Sequence, residues 1–224
     1  MPRFTTVIFD LDGTIADTLP LIYEAFDAAL QPVTGRGYRD DEIRALFGPP
    51  DNQIIGALVP EPENEAAFRR YVETYEREHN RLVSAFHGID EVMRVAADAG
   101  TKLGVVTGKS RQTALFTLEA LGMLPVFGAV YAGDDVERQK PHPEAVIKIL
   151  SDLGHVPETP GAFVGDSAAD VEAGRAAGLV TIAVTWGSPD HDQLFAAGPD
   201  VIVSSAKELA MALGLEWHNS PKTP

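Results

Sequence analysis

Two aspartates, Asp10 and Asp12, follow directly on the apolar run Val7-Ile8-Phe9. A short apolar run of this kind predicts a strand that is buried on both faces. In extended backbone, residues two apart point the same way, so both carboxylates can face one site, and Gly13 then lets the chain turn away. Two close carboxylates repel each other unless a cation lies between them. The segment therefore predicts a metal site in which one aspartate attacks and its neighbour moves protons. The alternative is that the two residues only begin a turn.

The charge of the chain limits its partners. The 224 residues include 45% hydrophobic and 23% charged residues, and the formal net charge is −15. So acidic a chain repels nucleic-acid phosphates and anionic lipid, which argues against nucleic-acid and membrane partners. A small phosphorylated metabolite can still bind, because a local metal ion and a lysine outweigh a distant diffuse charge.

Cysteine is absent, which removes disulfides, thiolate nucleophiles and thiolate metal sites. The opening residues Met1-Pro2-Arg3-Phe4 run into the first predicted strand without the apolar stretch of a signal peptide. No apolar run approaches the roughly 20 residues of a membrane span. We expect a cytoplasmic protein that is a monomer or a homodimer.

Strand-like and helical stretches alternate along most of the chain. The predicted strands are Thr6–Phe9, Lys102–Thr107, Ala129–Ala132, Gly161–Gly165, Thr181–Val184 and Asp200–Val203. The helical stretches between them include Gln112–Leu121, Pro143–Leu153, Ala169–Ala177 and Ala206–Leu213. This alternation predicts an α/β fold with a doubly wound, mostly parallel, Rossmann-like sheet. Many of the strands are apolar on consecutive residues, as a sheet covered on both faces requires.

One long segment lacks strands and predicts a smaller, all-helical cap domain over the site at Asp10. Its predicted helices are Leu19–Leu30, Asp40–Leu46 and Glu63–Leu82, separated by Pro32–Gly37, Gly48-Pro49-Pro50 and Pro60–Pro62. A connection this long is unusual unless it forms a unit of its own. We therefore predict a catalytic core over 1–17 and 87–215, a cap over 18–86, and a loose polar tail over 216–224.

Polar residues follow two further strands in the same way as Asp10. Thr107 ends one strand, and the amides of Gly108 and Lys109 at the start of the next helix can hold an anion. Asp166 ends another strand, and Asp170 lies about one helical turn further on. Mg²⁺ prefers a few carboxylates with waters and substrate oxygens, so Asp166 fits a metal ligand that Asp170 supports. Taken singly, each could be an ordinary helix cap.

Lys140 lies between a strand and a helix, and Pro141 and Pro143 fix the backbone around it. A lysine held there can neutralise both a carboxylate and a phosphate oxygen, although a lone loop lysine is usually a solvated charge. The four segments in this order indicate a ligand site more specifically than any one of them does alone. The reason is that parallel sheets bind ligands at the carboxyl ends of their strands.

The chain resembles the haloacid dehalogenase-like superfamily of aspartate-dependent phosphohydrolases. The family's four motifs are matched in order by Asp10-Leu11-Asp12-Gly13-Thr14, Thr107, Lys140, and Gly165-Asp166-Ser167-Ala168-Ala169-Asp170. The likeness covers about 6–203. The helical insertion after the first motif is similar to the cap of the phosphoglycolate phosphatase-like branch.

The resemblance implies a role for each matched residue. Asp10 would attack phosphorus and form an aspartyl-phosphate, while Asp12 would protonate the leaving group and later activate water. Thr107 and Lys140 would hold the phosphoryl oxygens, with Lys140 also steadying Asp10. Mg²⁺ would bind Asp10, the backbone carbonyl of Asp12, and Asp166, with Asp170 in support.

This chain departs from the family's pattern at several positions, and these departures limit which of the family's activities we expect for it. Many relatives have asparagine after the second-motif threonine, where this chain has Gly108. Asp12 points to phosphate chemistry, since dehalogenase relatives lack it. Phosphonate-cleaving relatives need a cap lysine, and no lysine precedes Lys102. Mutase relatives hold a second phosphate with a cap-loop arginine. The corresponding stretch, 48–52, contains no cation, although Arg44 lies near it.

We therefore expect a Mg²⁺-dependent phosphatase that acts on a small phosphomonoester, with phosphoglycolate as the first choice. Inorganic pyrophosphate or a nucleotide is the alternative, because the Gly48-Pro49-Pro50 loop resembles that of some pyrophosphatase-like relatives. A phospho-accepting switch and a catalytically inactive binding protein belong to other classes. A switch has no use for a general acid or a lid. The residues give no role for His79 or His87.

Overall fold

Residues 2–217, the part of the chain that the computed structural model describes, contain eight strands, ten α-helices and two short 3-10 helices. The strands are β1 Thr6–Phe9, β2 Ala16–Asp17, β3 Ser84–Ala85, β4 Lys102–Val106, β5 Ala129–Tyr131, β6 Gly161–Gly165, β7 Val180–Val184 and β8 Val201–Val203. The helices are α1 Leu19–Thr34, α2 Asp40–Arg44, α3 Asp51–Leu58, α4 Asn64–Leu82, α5 Ile89–Asp98, α6 Arg111–Ala120, α7 Glu144–Asp152, α8 Ala168–Ala176, α9 His191–Ala196 and α10 Ala206–Ala212.

Six of the strands form one parallel sheet in the order β5-β4-β1-β6-β7-β8. β1 is central, and Phe9 pairs with Val105 of β4 on one side and with Val164 of β6 on the other. This register ends the three strands at one edge of the sheet, so the residues that follow them are neighbours. The predicted α/β fold with a doubly wound, mostly parallel sheet is confirmed.

The two faces of the sheet bury different side chains, since neighbouring strand residues point to opposite sides. Phe9 lies on the face covered by α5, α6 and α10, in a cluster that includes Val92, Leu103, Ala114, Val164 and Leu209. Ile8 lies on the opposite face beneath α7 and α8, in a cluster that includes Val106, Val146, Ile149, Phe163 and Ala173. Both faces are apolar and covered, which explains the continuous apolar runs of the sequence.

Helices α1 to α4 have a hydrophobic cluster of their own, whose buried members include Leu21, Phe26, Ile43, Ile55 and Tyr71. The ring of Phe26 lies 4.9 Å from the ring of Tyr71 between centroids, which joins α1 to α4. The chain enters and leaves this helical segment side by side, because β2 and β3 pair antiparallel through Ala16 with Ala85 and Asp17 with Ser84.

Some predicted helix bounds within this segment are wrong. The first helix does not end at Leu30 but continues through Pro32 to Thr34, and it stops where Gly35 adopts a left-handed φ of 72°. The second helix ends at Arg44 rather than Leu46. Helix α3 is absent from the predicted elements, because Pro50, which separates the predicted helices, also directly precedes the first residue of this helix.

Helices α5 and α9 and the short pair β2–β3 were also absent from the predicted elements. Of the predicted tail, residues 218–224 lie outside the described residues. Trp217 lies against the hydrophobic cluster that contains Phe9, and near Gly88. Among residues 2–217, no helix combines the length and the apolar character needed to cross a bilayer.

Candidate active site

The carboxyl ends of the three central strands place Asp10, Thr107 and Asp166 at one edge of the sheet. Each follows its strand directly, and all three side chains are buried. Lys140 reaches the same place from the loop before α7, and Asp170 from the first turn of α8. The structure thus brings together residues that lie up to 160 positions apart in the chain.

Lys140 connects the first motif to the fourth. Its Nζ lies 2.9 Å from Oδ1 of Asp10 and donates a hydrogen bond of 2.6 Å to Oδ1 of Asp170. It also donates to the backbone carbonyl of Val106 at 3.2 Å. Although burial opposes it, the charges of Asp10 and Asp170 raise the pKa of Lys140 above its ordinary value. The ammonium therefore stays charged and holds both carboxylates.

The acidic side chains exceed the cations that face them. Burial, followed by the charge of Asp170, raises the pKa of Asp10 to about 7. Burial and the charges of Asp10 and Asp170 likewise raise the pKa of Asp166 well above its ordinary value, although Asp166 accepts a hydrogen bond of 3.1 Å from Thr14. Each ionised carboxylate in such a group disfavours ionisation of the others unless a cation binds between them.

This group fits a hard divalent cation. One carboxylate oxygen from each of Asp10, Asp166 and Asp170 lies within 4.8 Å of the others, and the three residues are buried. Carboxylate oxygens are the ligands that Mg²⁺ prefers. Asp170 already binds Lys140 through Oδ1, while its Oδ2 accepts from the amide and hydroxyl of Ser167 at 3.0 and 2.6 Å. Asp10 and Asp166 are therefore the better ligands, with Asp170 supporting them.

Gly13 allows the first and fourth motifs to touch. Its φ is 77°, and a Cβ added there would lie 2.2 Å from Oδ2 of Asp166. Gly187 in turn packs on this turn, since its added Cβ would lie 2.1 Å from the carbonyl oxygen of Gly13. Neither position has room for a side chain, so the turn after Asp12 is fixed from both sides.

The side chain of Asp12 lies apart from the three-carboxylate group and faces the helical segment. Its Oδ1 accepts a hydrogen bond from the hydroxyl of Thr18, the residue before α1, and lies 3.5 Å from Nζ of Lys109. The carboxylate is partly exposed to the same cavity as Asp10. This position suits a group that exchanges protons with a bound molecule. The role of its backbone carbonyl as a metal ligand stays a prediction.

The stretch after β4 differs in detail from a simple anion-binding turn. The amide of Lys109 donates to the hydroxyl of Thr107 at 3.3 Å, and helix α6 begins after Ser110. The side chain of Lys109 is buried, with its Nζ 4.5 Å from the ring centroid of Tyr75 on α4. Nothing in the local sequence distinguishes this lysine from a solvated one, so its burial was missed.

A cavity of about 480 Å³ opens over these residues, between the sheet edge and the helical segment. Its wall on the helical side includes Leu19, Ile22, Phe26, Arg44, Ile54 and Tyr71. Ser188 and Gln193 line the opposite rim. Arg44 donates to the hydroxyl of Tyr23 at 3.1 and 3.0 Å. Sequence reasoning missed Ser188 and Gln193, which lie in a stretch with no motif.

Comparison with known proteins identifies the family. The family model described as haloacid dehalogenase-like hydrolase matches residues 7–184. The chain is 34% identical to Pyrophosphatase PpaX of Bacillus pumilus over 94% of this chain and 97% of that protein. Pyrophosphatase PpaX of Anoxybacillus flavithermus is 33% identical over 95% and 98%. The protein therefore belongs to the haloacid dehalogenase-like hydrolases, and it is a phosphate-hydrolysing enzyme.

Solved structures show the same fold. A crystal structure described as a predicted phosphoglycolate phosphatase from Haemophilus somnus superposes with a TM-score of 0.83 at 23% identity, covering 95% of this chain and 99% of that one. A putative β-phosphoglucomutase from Thermotoga maritima superposes with a TM-score of 0.73 at 29% identity, covering 93% and 98%. The resemblance to the haloacid dehalogenase-like superfamily is confirmed.

Proposed function

We propose that this protein is a magnesium-dependent phosphohydrolase whose substrate is inorganic pyrophosphate. The observation that carries the proposal is the group formed by Asp10, Lys140 and Asp166, in which a buried carboxylate faces both a fixed ammonium and a site for a divalent cation. The choice of pyrophosphate is supported by full-length relatives named pyrophosphatase at 33–34% identity.

The proposed reaction has two displacements at phosphorus. A carboxylate oxygen of Asp10 attacks one phosphorus atom, and the bond to the bridging oxygen breaks as inorganic phosphate leaves. Water then attacks the aspartyl-phosphate, releases the second phosphate and restores Asp10. Asp12 is placed to give a proton to the departing oxygen and to take one from the water.

The remaining residues bind and orient. Lys140 keeps Asp10 in place and neutralises a phosphoryl oxygen, and Thr107 offers a hydroxyl to another. Asp10 and Asp166 would hold Mg²⁺, which would neutralise charge on the transferring phosphoryl group when bound. The helical segment α1–α4 acts as a cap in this proposal, because it forms the far wall of the cavity over these residues.

Phosphoglycolate is the second candidate. The cap wall of the cavity is mainly apolar, with Leu19, Ile22 and Phe26 facing the site, and such a wall suits carbon better than a second phosphate. Arg44 is the cap cation of this cavity that can face an anionic end of either substrate. A phospho-accepting switch is disfavoured, because a switch needs neither a cavity of this size nor a cap.

Steady-state release of phosphate in the presence of Mg²⁺ tests the proposal. Pyrophosphate, phosphoglycolate and p-nitrophenyl phosphate are compared by kcat/KM, with Asp10→Asn as the control for contaminating activity. We expect the highest kcat/KM for pyrophosphate. A higher value for phosphoglycolate would support the second candidate, and a single stoichiometric burst without turnover would support the switch.

A further inference from the structure

A buried ammonium lies beside the proposed acid–base residue and has no role in the reaction described above. The side chain of Lys109 is 4% exposed. Within residues 2–217, its Nζ has no hydrogen-bond partner. Removing a charged ammonium from water is costly unless opposite charge or an aromatic face compensates it. The groups around this atom therefore show what keeps it there.

Two groups face the ammonium from different parts of the fold. Oδ1 of Asp12 lies 3.5 Å from Nζ, and the ring centroid of Tyr75 lies 4.5 Å from it. A cation over an aromatic face at this distance is attracted to the ring. Although burial opposes it, Asp12 and Tyr75, with a smaller contribution from Asp51, raise the pKa of Lys109 above its ordinary value. The lysine is thus charged and interacts with Asp12 as an ion pair.

The ring of Tyr75 is itself fixed between the cap and the core. Its hydroxyl is 2.8 Å from the hydroxyl of Thr117 on α6, and its ring lies edge-on to Phe116 at 6.4 Å between centroids. The ammonium of Lys109 consequently cannot move toward the cap without displacing this ring. The carboxylate of Asp12 contacts the same ammonium.

We propose that Lys109 is a positioning residue that holds the carboxylate of Asp12 in the orientation needed for proton exchange, with Tyr75 holding Lys109. This inference rests on the proposed function, because it concerns the residue that serves both displacements. The hydroxyl of Thr18 fixes Asp12 from the side of α1, and the ammonium fixes it from the side of α6. Both contacts are made by the same oxygen, Oδ1, of a residue that lines the cavity.

A direct role in substrate binding is the competing interpretation, since Lys109 also lines the cavity. The two roles differ in kinetics. Loss of a substrate contact formed equally in the ground and transition states raises KM and spares kcat, whereas misplacing an acid–base residue lowers kcat. Proton transfer by a positioned side chain contributes about 10²–10⁴-fold, so partial misplacement is expected to cost about 10–100-fold.

The main test is Lys109→Met, which keeps the length and apolar stem but removes the charge. With pyrophosphate and p-nitrophenyl phosphate we expect kcat to fall about 10–100-fold while KM changes by less than about threefold. We expect the variant to slow the formation of the aspartyl-phosphate, measured as a rapid burst, less than it slows the hydrolysis of this intermediate. Lys207→Met is the matched control, because Lys207 is an exposed lysine on α10.

Three more variants separate positioning from a merely structural role. Lys109→Arg keeps a cation at this position. We expect its decrease in log kcat to be smaller than that of Lys109→Met by at least about one third. Tyr75→Phe keeps the ring but loses the hydroxyl contact with Thr117, so it should lower kcat less than Tyr75→Leu. Tyr75→Leu removes the ring and should lower kcat in the same direction as Lys109→Met. Melting curves establish that each variant is folded. If Lys109→Met does not fold, the arginine variant and the two tyrosine variants still decide the matter.

Two results overturn the inference. One is a kcat for Lys109→Met within about twofold of the wild type, and the other is a raised KM at unchanged kcat, which assigns Lys109 to substrate binding. Either result leaves the proposed function standing, because the wild type still turns over. Absence of turnover by the wild type on every phosphate tested would instead remove the proposed function.

Discussion

The ammonium of Lys140 lies 2.9 Å from Oδ1 of Asp10. The same atom binds Asp170 at 2.6 Å, so one cation serves two of the three buried carboxylates at the edge of the sheet. Within residues 2–217, the side chain of Asp166 accepts one hydrogen bond, from the hydroxyl of Thr14. A divalent cation would balance this excess of negative charge. The site can therefore be tested by substitution, by metal removal and by changes of pH.

Asp10→Asn is expected to abolish turnover while the fold is kept. The amide is a far weaker nucleophile than the carboxylate, so kcat should fall by at least about 10³-fold. Loss of one of three mutually repelling carboxylates should leave the melting temperature equal to or above that of the metal-free wild type. Asp98→Asn is the control, because Asp98 is an exposed residue paired with Arg94 at 3.2 Å. A kcat within tenfold of the wild type would remove Asp10 from the mechanism.

Metal removal should destabilise the protein at high pH more than at low pH. The pKa of Asp10 is raised from 3.8 to about 7, so protonated Asp10 stabilises the folded state at low pH, and this contribution is lost as the pH rises through about 7. Mg²⁺ binds the ionised carboxylates of the folded state and restores stability there. We therefore expect Mg²⁺ to raise the melting temperature more at a pH of about 8 than at about 5, measured against protein treated with a chelator.

A pH-independent response to Mg²⁺ would contradict this assignment of the metal ligands. The control is Asp10→Asn, which has no titrating group at this position and should show a smaller difference between the two pH values.

Gly13→Ala separates backbone strain from displacement of Asp166. A methyl group at Gly13 would lie 2.2 Å from Oδ2 of Asp166, whereas the control position Gly122, with a similar φ of 68°, has no atom within 4 Å of an added Cβ. Both alanine variants have strained backbone and should lose about 1 kcal/mol in the free energy of unfolding. Only Gly13→Ala should also lower kcat and weaken Mg²⁺ binding, each by about tenfold or more. Equal kinetics for the two variants would show that Asp166 tolerates the shift.

The sheet and the residues at its edge could be predicted because their signals are local. Each of the three central strands is a short apolar run with a polar residue immediately after it, and parallel pairing places those ends together. Asp10, Lys140 and Asp166 meet as that argument requires. The bounds of β1 and β6 were predicted to the residue.

The parts that could not be predicted depend on packing between distant segments. The local sequence of Lys109 is that of a solvated lysine, and its contacts with Tyr75 on α4 and with Asp12 make it a buried cation. Helix α3 follows two prolines, which signal a turn as readily as the start of a helix. Ser188 reaches the cavity because Gly187 packs against Gly13, a contact that no periodicity encodes.

His79, which lies where the cap contacts the core, should make the stability of the folded protein decrease at acidic pH. Its ring is 1% exposed, lies 5.3 Å from the ring of Phe116 on α6, and has no hydrogen-bond partner at either nitrogen within residues 2–217. Burial lowers the pKa of His79 below its ordinary value of 6.5. The folded state therefore binds fewer protons than the unfolded chain, and the stability that neutral His79 contributes is lost as the pH falls below about 6.5.

The variant His79→Leu removes the titrating ring and keeps an apolar side chain on α4. Since the carboxylates of the active site change stability with pH in the opposite direction, the informative quantity is the melting temperature of the variant minus that of the wild type. This difference is expected to become more positive by a few degrees (about 2–4 °C) between a pH of about 7.5 and about 5.5. The matched control is His87→Leu, at an exposed histidine, for which we expect no such trend. A difference for His79→Leu that does not vary with pH would show that His79 is hydrated or hydrogen-bonded in solution.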